Sequence, residues 1–443
     1  MEIRKYITNK AKSKLLKEEK DSPKKYSARQ ENSIINIYTD LKKQKFLGFG
    51  ASFTEASGYA YSLLSEEKKK EFINSYFSQS GLRYSLCRIP IGSTDFSTHS
   101  YSYAKKKDLS DFSIEEDKKY IIPLIKDALL VNPNITFIAS PWSPPSFMKN
   151  TKMLLLGGKL LDKYKQTYAD YFVKFIKAYE QEGIKIKYVT VQNEPNAIQL
   201  WESCLYDAED EALFVKDYLY PTFKKNNLDV GIIIWDHNKE KVYKRAKKEL
   251  IDYDIKDLVS GIGYHYYSGD HFENINLTSE LFPDKLLIHT EGCTGYSHFN
   301  PDEEVKNGEI YAHDILGDLN NGSNGYIDWN MLLTHSGGPN HKKNNCNSPI
   351  MLTEDDSDLI KNMTYTYIGH FSKFINQDAV RLKNSRFTND IEVLSFLNPD
   401  NSIVVVLLNR MYYGKEYKLS IDDKYLIEGN IEAHSIITLL IKE

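Results

Sequence analysis

The chain reads as an α/β protein: a (β/α)8 barrel with a β-sandwich side domain built from both chain ends. Three observations predict it. Between Phe46 and Gln377, eight short apolar runs of strand character alternate with eight segments of helical period, the rhythm of parallel strands joined by helical crossovers. The doubly wound alternative would carry a glycine phosphate loop after its first strand, and Gly48, Gly50 and Gly58 do not fit G-x-G-x-x-G. After Asp378 the helical period stops and short alternating runs take over. The expected organisation is residues 1–45 as N-terminal strands of the side domain, 46–377 as the barrel, and 378–443 as the C-terminal β-sandwich.

In order, residues 9–30 are rich in Lys, Ser and Glu and read as a solvated loop. Residues 33–39 alternate as a strand, and 40–43 read as a turn into the next one. The barrel opens with the Gly-rich strand 46–53. Helix 65–77 follows, with Ser65 as N-cap and Glu66 and Glu67 in its first turn. Strand 82–91 leads to helix 114–131, capped by Ser113. Strand 135–140 precedes the long helix 162–182. Strand 186–191 precedes helix 208–226, which Pro221 is expected to end or kink. Strand 230–235 and helix 239–250 come next, then strand 258–265 with a short helix at 277–281. Strand 286–290 with helix 302–319, and strand 325–331 with helix 359–375, complete the series. The tail offers strands at 391–398, 402–409, 416–421 and 434–441.

A length of 443 residues suits one large domain plus a smaller one, and a net charge of −4 gives no footprint for nucleic acid. The high aromatic content, with 32 Tyr, tilts toward sugar-binding surfaces. The start lacks an apolar signal region, and no run reaches membrane-spanning length. Lys-rich stretches such as 239–248 read as solvated helix faces, so no stable membrane anchoring is expected. Cys87, Cys204, Cys293 and Cys346 are far apart in sequence, with no C-x-x-C pair. They read as reduced thiols in a cytoplasmic protein, or in a secreted one whose leader has been removed. The sequons at Asn134, Asn276, Asn321 and Asn362 read as chance. Oligomeric state is left open.

Two apolar strands end in a carboxylic acid. Residues 188–195 run Tyr-Val-Thr-Val-Gln-Asn-Glu-Pro, placing Glu194 at the strand end, and residues 285–291 run Lys-Leu-Leu-Ile-His-Thr-Glu, ending in Glu291. Strand ends are where a barrel keeps its chemistry. Strands four and seven face each other across the mouth, so two carboxyls can flank one substrate bond. Hydrolysis of a glycosidic bond needs a proton for the leaving oxygen and a group to stabilise an oxocarbenium-like centre, and at a spacing of ~5–5.5 Å the second carboxylate serves as nucleophile. Arg88 follows an apolar strand and demands a buried partner. Asp236 ends strand five and is a plausible partner at one remove from the substrate.

A set of motifs resembles glycoside hydrolase family 30, in its glucosylceramidase-like branch. They are Gly48-Phe49-Gly50, Arg88-Ile89-Pro90, Ser93-Thr94-Asp95-Phe96-Ser97, Ala139-Ser140-Pro141-Trp142-Ser143-Pro144, Asn193-Glu194-Pro195, Asp328-Trp329-Asn330, Gly337-Gly338-Pro339-Asn340 and Gly369-His370-Phe371-Ser372-Lys373-Phe374, in family order from Phe46 to Arg410. The resemblance implies a TIM barrel with a β-sandwich side domain, retention of configuration, a carbohydrate or glycoside substrate, and no metal or organic cofactor. It makes Glu194 the acid/base and Glu291 the nucleophile. It places Asn193 on the sugar 2-hydroxyl, Asp95 on other sugar hydroxyls, Trp142 and Trp329 as pocket walls, Tyr267 near the nucleophile, and Asn344 as a further sugar contact. It has Arg88 lowering the pKa of Glu291 and keeping it ionised.

His237 and His265 are alternative metal ligands. No His-x-His lies in the first strand and no Glu or Asp sits at ligand spacing from either, so no metal is expected. Residues 199–204 and His341 depart from the lysosomal glucosylceramidase pattern, which leaves the aglycone open. The expected activity is hydrolysis of β-glucosides. A β-1,6-glucanase, a β-xylosidase, a non-catalytic carbohydrate-binding barrel and a metal-dependent barrel hydrolase are the rivals.

Overall fold

The computed structural model describes residues 2–26 and 31–442. Eight parallel strands form a closed barrel: β1 (Gly48–Ser52), β2 (Leu86–Ile91), β3 (Thr136–Pro141), β4 (Ile186–Thr190), β5 (Gly231–Asn238), β6 (Gly261–His265), β7 (Leu286–Glu291) and β8 (Gly325–Asn330). Closure comes from β8 returning to β1 through Gly325↔Gly48 and Tyr326↔Phe49. A Cβ at Gly50 would lie 1.5 Å from the Leu86 carbonyl oxygen, so only glycine permits the close approach of β1 to β2.

Side chains alternate along a strand. Leu86, Ile138, Ile233, Ile288 and Ile327 make one apolar layer in the barrel. Arg88, Ser140 and Thr290, two residues further along β2, β3 and β7, carry polar groups above it. At three strand ends the register slips and the alternation breaks: Asp236 on β5, Thr290 on β7 and Trp329 on β8 are each left without a strand partner on one side. Such bulges re-aim side chains, and these three lie at the mouth.

The side domain is a ladder of ten strands folded on itself. Ser435–Lys442 lies between Glu2–Asn9 and Ile403–Asn409, joining both chain ends in one sheet. Ile3, Ile35, Val405, Leu419 and Ile437 share its core.

Several expected elements change. Of the loop expected at 9–30, Lys14–Asp21 is instead a strand paired with Glu2–Asn9, and 27–30 lie outside the described residues. Its charges suit an edge strand, where they discourage pairing with other chains. The turn at 40–43 is absent, because Ile34–Lys45 continues as one strand between Val380–Arg386 and Lys415–Ile421. The helix expected from residue 114 begins at Ile121. The preceding turns instead bury Asp117, which accepts from the hydroxyls of Tyr101, Tyr103 and Tyr179 at 2.9, 2.5 and 2.6 Å. Pro221 does not end its helix; the strain is taken by a π turn at Val215–Leu219, and the helix resumes at Tyr220–Lys225. The helix expected at 359–375 is a strand, Leu359–Lys361, followed by helix Met363–Ser372. Helix Glu55–Leu63 and strands Val380–Arg386 and Tyr425–Ile431 have no counterpart in the sequence reading.

Candidate active site

Arg88 is the centre of the mouth. It is fully buried, and its guanidinium bonds four side chains from four strands or their ends. Nε donates to Ser140 Oγ at 2.9 Å, Nη1 to Glu291 Oε2 at 2.6 Å, and Nη2 to Asn193 Oδ1 at 2.8 Å and Asp236 Oδ2 at 2.7 Å. The guanidinium also lies 4.6 Å from the Trp142 ring. One planar cation thus sets the positions of β2, β3, β4, β5 and β7 relative to one another.

Asp236 accepts from Thr190 Oγ1 at 2.7 Å and Thr290 Oγ1 at 2.6 Å besides Arg88. Burial opposes its charge, but Arg88, His265 and Thr290 hold its carboxyl far below the usual carboxylate range. His265 Nε2 lies 3.1 Å from Asp236 Oδ1, and Nδ1 lies 3.3 Å from Glu194 Oε1. Burial opposes protonation of His265, yet Glu291, Asp236 and Glu194 outweigh it and push the ring up to about 9. The ring is therefore a cation between two carboxylates at neutral pH. The argument that no acid sits at ligand spacing from His265 is overturned here, because the closed barrel brings Glu194 and Asp236 to it from other strands.

Glu194 follows β4 in a left-handed backbone conformation, φ 47°. Its N–H donates to the Asp236 carbonyl at 2.9 Å, and Asp236 is itself at φ 50°. Non-glycine residues held this way mark sites where the surroundings over-determine the backbone. Gln199 Nε2 donates to Glu194 Oε2 at 3.2 Å. Glu291 Oε1 accepts from Tyr267 Oη at 2.9 Å. A Glu194 oxygen, a His265 ring nitrogen and a Glu291 oxygen lie within 4.8 Å of one another.

The two glutamates feel one mutual repulsion and titrate as a pair. Burial would raise Glu194, but His265, His237 and Gln199 bring it below its ordinary value. Burial and the Glu194 charge raise Glu291 despite the pull of His265, Arg88 and Tyr267. The expectation that Arg88 leaves Glu291 with a lowered pKa is corrected: Arg88 acts in that direction, and burial together with Glu194 outweighs it.

Glu194, Glu291, Asp95, Trp142, Asn193, Tyr267, Trp329 and Asn344 all line one cavity of about 450 Å³, with Arg88 and Asp236 beneath it. Trp142 and Trp329 stack with centroids 5.2 Å apart. Asn340 and Asn344 amides donate to Asp95 Oδ2 at 3.2 and 3.5 Å. Burial and the Glu291 charge push Asp95 up to about 8, against the two amides. Gln199 and Trp201, from the 199–204 loop expected to shape the pocket rim, line the cavity, while Asn340, Cys293 and Cys346 and His265 in its actual role were not placed here by the sequence reading. His265 ends β6 as Glu291 ends β7, so the strand-end rule applied to every strand would have found it.

A family profile described as Glycosyl hydrolase family 30 TIM-barrel domain matches residues 46–375, and Glycosyl hydrolase family 30 beta sandwich domain matches 378–439. The chain belongs to glycosyl hydrolase family 30. It is an O-glycosyl hydrolase with a carbohydrate substrate. The lysosomal acid glucosylceramidase of Mus musculus is 32% identical over 427 residues, covering 92% of this chain and 83% of that one. The crystal structure of SrfJ from Salmonella typhimurium superposes with a TM-score of 0.97 at 33% identity, covering 100% of both chains. The endo-beta1,6-glucanase BT3312 superposes at 0.89 and 29% identity, covering 100% of this chain and 99% of that one. Among the described residues, this family 30 chain has no helix long and apolar enough to cross a membrane.

Proposed function

We propose that the protein is a retaining β-glycosidase of the glucosylceramidase type, acting on β-glucosides, with Glu291 as nucleophile and Glu194 as acid/base. The observation that carries the retaining part of this reading is the carboxylate pair, one oxygen of Glu194 lying within 4.8 Å of one oxygen of Glu291. Inverting enzymes keep the carboxyl groups ~6.5–9.5 Å apart to admit a water, and retaining ones ~5–5.5 Å.

In the first step Glu291 attacks the anomeric carbon from one face. Arg88 at 2.6 Å and Tyr267 at 2.9 Å fix its two oxygens so that one lone pair is aimed. The leaving oxygen takes a proton from Glu194. His265 Nδ1 lies 3.3 Å from Glu194 Oε1 and can share that proton with it, so Glu194 and His265 act as one proton-holding pair with Asp236 anchoring its far side. Once the glycosyl–enzyme bond forms, Glu291 loses its charge, and Glu194 as a carboxylate activates the incoming water. Asn193 has its Oδ1 taken by Arg88, which leaves its NH2 for the sugar 2-hydroxyl. Asp95, protonated at neutral pH, can both donate to and accept from other sugar hydroxyls.

An apolar aglycone is supported by the rim. Met153, Leu156, Ile198 and Leu200 are 43, 44, 64 and 70% exposed on two adjoining loops. Leu156, held at φ 60°, donates its N–H to the Gln199 carbonyl at 3.0 Å, next to the residue that bonds Glu194. The second reading is an endo-β-1,6-glucanase, favoured by the fit to BT3312.

The test is a rate panel on aryl and alkyl β-glucosides, aryl β-xyloside and a β-1,6-glucan, with Glu291→Gln as the blank. We expect fast aryl β-glucoside turnover that falls roughly 10⁴-fold or more in the variant, and a KM that drops as the alkyl chain lengthens. Release from the glucan alone would favour the second reading, and near-normal turnover by Glu291→Gln would remove the nucleophile assignment.

A further inference from the structure

A thiol pair stands in the wall of the same pocket. Cys293 comes two residues after Glu291 and Cys346 two residues after Asn344. Their Sγ atoms are 3.1 Å apart, and both residues line the cavity at 8 and 7% exposure. The backbone clamps them together: Asn347 N–H donates to the Thr294 carbonyl at 3.0 Å, and Gly295 pairs with Cys346 in an isolated antiparallel bridge. The other two cysteines, Cys87 and Cys204, are fully buried.

We propose that Cys293 and Cys346 form an oxidation site for small peroxides, closing to a reversible disulfide that lowers turnover. The inference rests on the reading of this pocket as the sugar site. One thiol attacks hydrogen peroxide, the O–O bond breaks, and a sulfenic acid and one water result. The second sulfur then attacks the sulfenic sulfur, and the expelled hydroxide takes the second thiol's proton to leave as water. Two electrons pass from the sulfur pair to the peroxide. Cys346 and burial raise the Cys293 thiol above its ordinary value, so the first step is slow, and closure of the sulfenic acid relies on proximity.

The disulfide brings the sulfurs from 3.1 Å to a bond of about 2.05 Å. On one side that pull acts on the loop whose Asn340 and Asn344 hold Asp95. On the other it acts beside Glu291 and Tyr267, whose hydroxyl lies 3.6 Å from Cys293 Sγ. A displacement of this size in a site of fixed geometry costs roughly tenfold to a hundredfold in rate.

The full chain is treated with hydrogen peroxide, quenched with catalase, and divided between peptide mass spectrometry and aryl β-glucoside assay, before and after dithiothreitol. We expect a cross-linked Cys293–Cys346 peptide lighter by two hydrogens, loss of turnover in proportion to the cross-linked fraction, and reversal of both by dithiothreitol. Cys293→Ser and Cys346→Ser, each measured against its own untreated rate, should hold that rate through peroxide. Absence of the cross-link, with the sulfurs unchanged or carried to sulfinic acid, overturns the proposal. A cross-linked chain turning over at the full rate overturns it too. Because the cross-link is read by mass, a chain that forms it but hydrolyses no glycoside in either state sinks the sugar-site reading separately.

Discussion

The barrel buries two clusters that each join a basic side chain, carboxylates and a histidine, and their histidines behave in opposite ways. At the mouth, Arg88, Asp236 and His265 surround the two glutamates. On the flank, Lys239 pairs with Asp314 and, at 2.7 Å, with Asp318, while His289 Nδ1 sits 2.8 Å from Asp318 and 3.2 Å from Asp314. His265 is pushed up to about 9 by an excess of carboxylates. His289 is pushed down to about 3, because burial dominates and the charges of Lys239 and His265 oppose the pull of Asp314. The lesson is that a buried histidine takes its charge from the local balance of cation and carboxylate. Only the mouth cluster, with three carboxylates to one arginine where the flank has two to one lysine, and with a cavity above it, is equipped to move a proton.

Five variants sharpen this contrast. The largest effect is expected from Glu194→Gln, which should slow alkyl β-glucosides about 10²–10⁴-fold. The first step on an activated aryl glycoside should be spared, since a good leaving group needs no acid; equal slowing of both would break the acid assignment. In the flank cluster, Asp318→Asn leaves Lys239 paired with Asp314 alone and weakens the contacts to Lys239 and His289, which should cost about 1–3 kcal/mol of stability. Its kcat per folded molecule should stay within roughly threefold, as chemical denaturation and active-site titration would report.

The histidines separate next in their pH profiles. The kcat/KM of the parent should be bell-shaped, with an acid limb above the ordinary glutamate value set by Glu291 and a basic limb near 9 set by His265. His265→Gln removes a positive charge shared by both carboxylates, so the acid limb should rise and the basic limb should fall by at least about one pH unit. His289→Gln should leave both limbs in place. The smallest effect concerns Asp95, raised from 3.8 to about 8 in the folded chain. Its neutral form favours folding below pH about 4, and that contribution is lost as pH climbs through about 8. Asp95→Asn should therefore gain a few degrees in melting midpoint relative to the parent across that window while losing sugar affinity, measured by thermal scans and by KM.

Much of the architecture was open to reading. The alternation of apolar runs with helical period placed all eight strands, because parallel strands buried on both faces leave long apolar signatures. Residues 14–21 misled because an edge strand is charged for protection and so has the composition of a loop. The residues before Ile121 misled because Asp117 gathers three tyrosine hydroxyls, a long-range demand that no local propensity records.

In the site, strand-end position and motif singled out Glu194, Glu291, Arg88 and Asp236 from the chain alone, since unpaired charge at the end of an apolar run has few structural uses. What the chain alone did not contain was their partnership. Periodicity tells how deep a residue lies, not which residue meets it. The bulges at Asp236, Thr290 and Trp329 break the very alternation that makes a strand legible. Pairing β5 between β4 and β6 made His265 a cation between Glu194 and Asp236, and folding the 340–346 loop over the mouth brought Cys346 within 3.1 Å of Cys293. Those contacts join residues up to dozens of positions apart, so only tertiary structure could decide them.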